Sequence, residues 1–347
     1  MLATFILLAT AAAGHGAGHR VPTMPQSSKE NARPDSPKGK LLAQPRRKIE
    51  YSSFKGADRE LYPWKGPHIA FLTRSNDLDR VTMTRLVEVF EGVHVYYERA
   101  TGREPERFRH LDGRLTIAEE PVTYGAGCGY LGRTGIELMP EYFGRLYDQI
   151  RETGEVDQVL PYELGRNFWF YDAQLRFVEP DESDAFVTGF AVLMRFWSLE
   201  AVGCGVGPFG QATGVEFRQT VESLVDVYEK SATSTFDSTL RAGRGIENSL
   251  GLGATDLFAS FLMRLRRESP RPDFPARVWR YLGAQPEAAR TEDSVDNLVV
   301  AASLAAGVDF GDTFEQRWRF PVSAAARVRI RDGLESGHEP PAPKRSR

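Results

Sequence analysis

The segment Leu160–Asp172, with the sequence LPYELGRNFWFYD, is the most informative stretch of this chain. We predict that it lies in a helix from Val156 to Tyr171, in which Tyr162, Glu163 and Arg166 occupy positions i, i+1 and i+4. Residues four positions apart lie on the same helix face, one turn from each other. The segment therefore combines a phenol, a carboxyl group and a guanidinium on one short stretch of helix.

This spacing resembles the active-site helix of zincin metallopeptidases. In these enzymes an H-E-x-x-H motif supplies two zinc-binding histidines and a glutamate that acts as general base. Tyr162 and Arg166 stand at the two histidine positions, and Glu163 matches the glutamate. In the gluzincin branch the third ligand is a downstream glutamate, often just before a Gly-Phe-Ala sequence. Here 187–191 reads VTGFA, with Thr188 at the ligand position. The chain resembles a gluzincin in which all three ligands are replaced.

The resemblance extends from about Pro67 to Ile330 and implies the fold. In zincins a strand, a helix, two strands and a glycine-containing edge strand precede the active-site helix, and GCGYLGRTGIEL at 127–138 occupies the place of the edge strand. The segment Ala305–Ala326 is similar to the helical end of enhancin-like mucin-degrading and basic-secretory-type peptidases. We therefore expect an α+β, zincin-like fold. Its small mixed sheet would place an edge strand beside the active-site-type helix, and a mostly helical C-terminal half would follow.

The hydrophobic pattern predicts individual elements without reference to this resemblance. Apolar runs predict strands at His68–Thr73 and Leu115–Ala118, and the glycines within Tyr124–Leu138 suggest a twisted edge strand. Apolar residues at helical spacing predict the following helices: Met83–Tyr97, Pro140–Ile150, Phe186–Trp197, Phe217–Tyr228, Asp256–Arg267, Pro275–Leu282 and Val295–Ala306.

Composition places the chain among globular proteins. Its 347 residues are 26% charged and 41% hydrophobic, and 44 Lys and Arg against 47 Asp and Glu give a formal charge of −3. These values exclude a wholly disordered chain, a collagen, a coiled coil and a multi-span membrane protein. A near-neutral charge offers no electrostatic footprint for nucleic acid, so we expect no such partner. No segment after the first residues is long and apolar enough to span a membrane.

The two ends of the chain differ from its centre. Residues 1–13 form a short apolar run that ends in small residues, which is typical of a signal peptide and predicts a secreted or periplasmic protein. No Lys or Arg precedes this run, so an uncleaved anchor or a mis-set start codon stays an alternative. Residues 14–60 are basic and poor in large apolar side chains, which predicts a disordered linker. We divide the rest into a zincin-like N-terminal subdomain (61–200), a helical C-terminal subdomain (201–333) and a disordered tail (334–347).

The side chains of the candidate site argue against the usual zinc centre. Arginine stays protonated and cannot ligate a cation, and none of the six histidines lies within residues 111–337. We therefore expect neither a metal nor another cofactor, with Arg166 supplying the positive charge that balances Glu163. Three functions stay open. The first is a non-catalytic pseudopeptidase that binds an extracellular peptide or glycoprotein. The others are an active hydrolase that uses Glu163 with Tyr162 and Arg166, and a structural secreted protein.

The edge strand supplies a second part of the candidate site. By resemblance to zincins, an extended peptide would pair with the edge at 130–134 beside the motif helix. Tyr130 and Arg133 would then line the same pocket as the motif side chains, and Arg133 would meet a carboxylate or a sugar acid. An equal alternative is that a loop covers this edge.

The chain has two cysteines, Cys128 in the expected edge strand and Cys204 after the helix that contains Thr188. Outside the cytoplasm they could form one disulfide.

Overall fold

A computed structural model describes residues 40–177, 185–337 and 339 of the chain. The predicted signal peptide, the predicted linker up to residue 39 and most of the predicted tail lie outside the described residues. The predicted division of the folded part into two subdomains stays a prediction.

The strands of the described residues form one mixed sheet and one small parallel pair. They are β1 (Ile49–Ser52), β2 (Asp58–Lys65), β3 (Ile69–Thr73), β4 (His110–Leu111), β5 (Arg114–Glu119), β6 (Gly127–Gly129), β7 (Ile136–Leu138), β8 (Glu155–Val156) and β9 (Gly205–Val206). The main sheet has the order β1-β2-β3-β5-β7-β6, with β4 beside β5, and β8 pairs with β9. β3, β5 and β7 are parallel, whereas β1–β2, β2–β3 and β6–β7 are antiparallel. The predicted mixed sheet is confirmed, and β6 is an edge strand.

Helices dominate the second half of the described chain. They are α1 (Arg80–Thr101), α2 (Pro140–Glu152), α3 (Val159–Asn167), α4 (Ala185–Ala201), α5 (Gly214–Lys230), α6 (Ala254–Glu268), α7 (Phe274–Gly283), α8 (Thr291–Ala306) and α9 (Ala324–Ser336), with short π-helical segments at Asp237–Arg241 and Thr313–Arg317. The α+β class and the mostly helical C-terminal half are confirmed. Because α9 continues to Ser336, the predicted start of the tail at residue 334 is too early. No helix among the described residues combines the length and the apolarity that crossing a bilayer requires.

The two faces of the main sheet are covered differently. On one face the strands and helices share a large core, which includes Phe71 of β3 and Ile117 of β5 together with Leu86 and Phe90 of α1. The opposite face carries a much smaller cluster, formed by Tyr51, Leu61, Ala70, Leu72 and Ala118. Since β1 and β2 contribute residues to the small cluster, they are part of the folded body.

The hairpin of β1 and β2 closes over this second face through buried acidic residues. Tyr51 Oη donates to Glu137 Oε1 of β7 at 3.0 Å, and the Phe54 N–H donates to the same oxygen at 2.6 Å. Arg59 pairs with Glu120, just beyond β5, at 2.9 Å. Neither glutamate is exposed to solvent. The hairpin is therefore attached to the sheet by hydrogen bonds and an ion pair as well as by apolar contact.

The predicted disordered linker at 14–60 is consequently wrong over its last residues. Ile49, Tyr51 and Leu61 alternate with charged side chains along β1 and β2, and they pack against the small cluster of the sheet. Burial of these side chains stabilises the hairpin and offsets the conformational entropy that is lost when it becomes ordered. The basic composition of the segment did not indicate this stabilisation.

Two predicted elements near the motif are longer than the observed ones. The predicted helix Val156–Tyr171 is reduced to α3, because its first residue belongs to β8 and its last aromatic residues follow the helix. The predicted edge strand over 127–138 is a hairpin of β6 and β7. Gly132 and Gly135 have φ values of 69° and 121° between the two strands, a conformation that favours glycine and turns the chain.

Candidate functional site

Two glycines allow α3 to pack closely between β6 and α4. A Cβ added at Gly129 would lie 2.5 Å from the backbone oxygen of Glu163, and one added at Gly165 would lie 3.1 Å from Ala191 Cα. A larger residue at either position would push the neighbouring backbone away. The glycines thus fix α3 against the edge strand on one side and against α4 on the other, which positions the motif side chains.

Glu163 points from α3 toward the edge strand and is buried, with 7% of its surface exposed. Its Oε2 accepts the Gly129 N–H at 2.7 Å and lies 3.4 Å from Arg166 Nε. Burial raises the pKa of Glu163 to about 7, although the charge of Arg166 and the Gly129 hydrogen bond both act to lower it. The carboxyl group is therefore held in place by the protein and changes charge near neutral pH.

Arg166 is oriented by the edge strand. Its Nε donates to Gly129 O at 3.0 Å, so the backbone of one glycine accepts from Arg166 and donates to Glu163. Burial alone would lower the pKa of Arg166, but the charge of Glu163 and contact with Tyr162 raise it above the usual arginine value. Of the arginine side chain, 15% is exposed to solvent. This residue therefore carries a permanent positive charge at the rim of the cluster.

Tyr162 and Thr188 complete the cluster from two helices. Thr188 lies on α4, is largely buried, and is in hydrogen-bond contact with the Tyr162 hydroxyl. The Arg166 guanidinium also donates to Tyr162, and burial raises the pKa of this phenol, which is consequently neutral. The structure thus brings Tyr162, Glu163, Arg166 and Thr188 together.

Arg195 is a member of this environment that the sequence pattern did not single out. It lies two turns after Thr188 on α4, is buried, and pairs with Asp256 of α6 at 3.5 Å. Desolvation lowers its pKa, whereas Asp256 and the nearby Tyr162 act to raise it. An arginine within an otherwise apolar helix was the available signal, because such a cation needs a buried partner.

Asn167, the last residue of α3, was also missed. Its Nδ2 donates to Tyr130 O at 2.9 Å and to Gly135 O at 3.3 Å. These bonds tie both ends of the β6–β7 loop to the helix that carries the cluster.

The backbone of the predicted peptide-binding edge is hydrogen-bonded within the chain. The Glu106 N–H donates to Gly132 O at 2.8 Å, and the Thr134 N–H donates to Glu106 O at 2.8 Å. The Gly132 N–H donates in turn to Arg166 O at 3.1 Å. Adding a peptide strand requires free main-chain donors and acceptors. The structure therefore favours the alternative in which the edge at 130–134 is covered by a loop.

The side chains of Tyr130 and Arg133 contact this covering segment. The Tyr130 ring packs edge-on against Phe54 and Phe108, with ring centroids 4.6 and 4.9 Å apart. Arg133 Nε pairs with Glu106 at 3.0 Å, and 40% of the arginine side chain is exposed. These side-chain contacts are with the segment that covers the edge, whereas the motif helix is contacted by the backbone of Tyr130.

The possible disulfide is not formed, because Cys128 and Cys204 are both free thiols. The two thiols lie in different surroundings. Cys128 lies on the edge strand, where the charges of Glu163 and Arg166 act on it, whereas Cys204 follows α4 and is influenced by Arg85. Burial raises the pKa of the Cys128 thiol to about 11, so this thiol is protonated at neutral pH.

The zinc ion implied by the resemblance does not fit the residues present. Structural and catalytic zinc sites use Cys, His and carboxylate ligands, whereas the three ligand positions hold Tyr162, Arg166 and Thr188. Within residues 40–177 and 185–337 no group of three or more His, Cys, Asp or Glu side chains is placed to hold a metal. A guanidinium 3.4 Å from the remaining carboxylate would also repel a divalent cation.

Comparisons with known proteins give structural likenesses only. No protein-family model matches the chain, and no curated protein matches it. Two structures of a functionally unknown conserved protein from Bacillus anthracis str. Ames, one of them a mutant, have TM-scores of 0.49 and 0.48 at 10% identity. A metallopeptidase in complex with Tn antigen has a TM-score of 0.46 at 12% identity. The matches cover 79%, 79% and 84% of this chain, which spans about half of those proteins (51%, 51% and 53%).

Proposed function

We propose that this chain is an exported, non-catalytic relative of the gluzincin metallopeptidases that binds a peptide or glycoprotein. The observation that carries the proposal is the state of Glu163. Its carboxylate accepts a backbone N–H at 2.7 Å and faces a guanidinium at 3.4 Å. A buried carboxylate is costly unless it is paired and hydrogen-bonded, and here the protein itself supplies both partners, which offset part of that cost.

The replacement of the ligands explains why hydrolysis would be lost. In a metallopeptidase the glutamate acts on a water molecule whose pKa the metal lowers from 15.7 to about 7. The substituted positions hold no residue that could retain such an ion. Glu163 alone would face an unactivated water, and its carboxylate is already engaged by Gly129.

The competing function is a hydrolase that uses Glu163 as general base, with Tyr162 and Arg166 and without the usual histidine-bound zinc. A pKa near 7 suits general acid–base catalysis at neutral pH. The two functions differ in one measurement, because only the hydrolase needs the carboxylate of Glu163. A structural secreted protein is the third possibility, and it would show neither hydrolysis nor binding.

Hydrolysis of an unstructured fluorogenic peptide and of mucin, with the purified full chain, tests the proposal. We expect wild type and Glu163→Gln to give the same background rate, with or without added zinc. Hydrolysis that Glu163→Gln abolishes, with or without added zinc, would contradict a non-catalytic function.

A second experiment tests whether the cluster corresponds to a former zinc site. The triple variant Tyr162→His, Arg166→His, Thr188→Glu would restore the family's ligand set. We expect it to bind about one zinc ion per chain in equilibrium dialysis, as a site with three protein ligands does. The double variant without Thr188→Glu is the matched control and should bind zinc more weakly. Failure of the folded triple variant to bind zinc would contradict the resemblance.

A further inference from the structure

We propose that the exposed end of Arg166, flanked by the hydroxyl groups of Tyr162 and Thr188, binds a carboxylate group of a peptide. This inference rests on the proposed function, because it treats the cluster as a binding site rather than a catalytic one. It names the chemistry of the ligand, which the fold leaves open.

The first argument is the fixed orientation of the arginine. Only its Nε is used in hydrogen bonding to the backbone, at 3.0 Å from Gly129 O. Within the described residues the two terminal nitrogens make no hydrogen bond to a carbonyl or carboxylate oxygen, and 15% of the side chain reaches solvent. The two terminal N–H groups of a guanidinium match the two oxygens of a carboxylate. The arginine is therefore held in one orientation, and its terminal nitrogens face the neutral Tyr162 hydroxyl and solvent rather than a carboxylate of the protein.

The second argument is that Glu163 does not occupy the terminal nitrogens of Arg166. Its oxygen lies 3.4 Å from Nε, longer than the roughly 2.7–2.9 Å typical of charge-assisted N–H···O bonds. Glu163 approaches from the Nε side and is bound more closely by Gly129. A second carboxylate can therefore approach the terminal nitrogens end-on without displacing Glu163.

The third argument concerns which anion the cluster suits. Tyr162 and Thr188 supply neutral hydroxyl groups, and the other nearby guanidinium, Arg195, is buried and paired with Asp256. A single available positive charge matches the single charge of a carboxylate better than a doubly charged phosphate, which usually engages several cations or a helix N-terminus. The chain as a whole has a charge of −3 and does not attract polyanions.

The carboxylate could come from a peptide C-terminus or from an acidic side chain. Three acetylated probes separate these sources. They are acetyl-Ala-Ala with a free C-terminal carboxylate, acetyl-Ala-Ala-amide, and acetyl-Asp-Ala-amide. Binding to the purified full chain is measured by isothermal titration calorimetry at neutral pH.

We expect at least one of the two carboxylate-bearing probes to bind at least tenfold more tightly than acetyl-Ala-Ala-amide, because a hydrogen-bonded charge pair is worth at least about that factor. Arg166→Lys should reduce this preference, since lysine lacks the planar fork. The double variant Glu163→Gln, Arg166→Gln should abolish it without leaving a buried carboxylate unpaired. Arg103→Gln, which changes an arginine stacked on the Phe170 ring, is the matched control and should keep the preference.

Any of three results would overturn the inference. Wild type could bind the acids and the amide equally, it could bind none of the three probes, or the folded double variant could keep the preference for the acids. Mass spectrometry of the recovered probes shows whether they were cleaved. This separates failure of the carboxylate-binding inference from failure of the proposed non-catalytic function. Cleavage that depends on Glu163 would refute a non-catalytic protein whether or not the carboxylate preference is present.

Discussion

Replacing Glu163 with glutamine is expected to change how stability depends on pH. The pKa of Glu163 is raised by burial from 4.5 to about 7 in the folded chain. Folding therefore favours the protonated form of Glu163. The stability that comes from this preference is fully present below the pKa of the unfolded chain, and it is lost as pH rises through the pKa of the folded chain. One pKa unit corresponds to about 1.36 kcal/mol, so the free energy of unfolding should lose roughly 3 kcal/mol from this group between about pH 4.5 and 8.

Glutamine cannot titrate, and its side-chain oxygen can still accept the Gly129 N–H. The difference in stability between Glu163→Gln and wild type should therefore shift by about 3 kcal/mol in favour of the variant as pH rises from about 4.5 to 8. Urea unfolding followed by tryptophan fluorescence at several pH values measures this difference, and the titrations common to both proteins cancel. Glu247→Gln, at an exposed position, is the matched control for the chemical change itself. A pH-independent difference for Glu163→Gln would refute the assignment of a buried, near-neutral carboxyl group.

Three further predictions concern other parts of the fold. Gly129→Ala should lower the free energy of unfolding in urea by about 1–3 kcal/mol, because the added Cβ would lie 2.5 Å from a backbone oxygen of α3. Gly144→Ala has open space around its Cβ and should not destabilise the protein. Equal effects of the two substitutions would contradict close packing of α3. Burial lowers the pKa of His94 from 6.5 to about 4, so the difference in unfolding free energy between wild type and His94→Leu should shift by about 3 kcal/mol against wild type as pH falls from 6.5 to 4. A difference that stays constant over this range in urea unfolding would contradict the prediction. Glu137→Ala removes the acceptor of two hairpin hydrogen bonds, so amide hydrogen exchange in the β1–β2 hairpin should accelerate. The control Glu119→Ala should leave this exchange unchanged. Unchanged exchange in Glu137→Ala would show that apolar contact alone holds the hairpin.

Elements with strong local patterns were predictable from the sequence. The run IAFLT is buried at every position of β3, so its apolar character alone marks it as an internal strand. In α1 the apolar residues recur at helical spacing and Gly102 ends the helix with a φ of 69°. These features depend on neighbours in the chain, which the sequence shows directly.

The parts that depend on distant contacts could not be predicted in the same way. Tyr51 finds its partner Glu137 eighty-six residues later, so nothing local distinguishes β1 from a solvated basic linker. The cover of the edge strand likewise depends on Glu106 meeting Gly132 and Thr134. The motif predicted which side chains meet around Glu163, but it did not reveal that Gly129 would engage both the acid and the arginine.

The hairpin at the start of the described fold also limits how the chain can be shortened. Trimming that stops before Ile49 already removes the Leu42 N–H bond to Thr84 Oγ1 at 3.0 Å and the contact of Leu42 with the large core. A cut at residue 60, where the composition changes, would delete β1 and the turn after it. Glu137 would then lose the Tyr51 and Phe54 donors, and Glu120 would lose its ion pair with Arg59. The shortened protein would expose Glu120, Glu137 and the part of the sheet that β1 covers. It would therefore be prone to self-association.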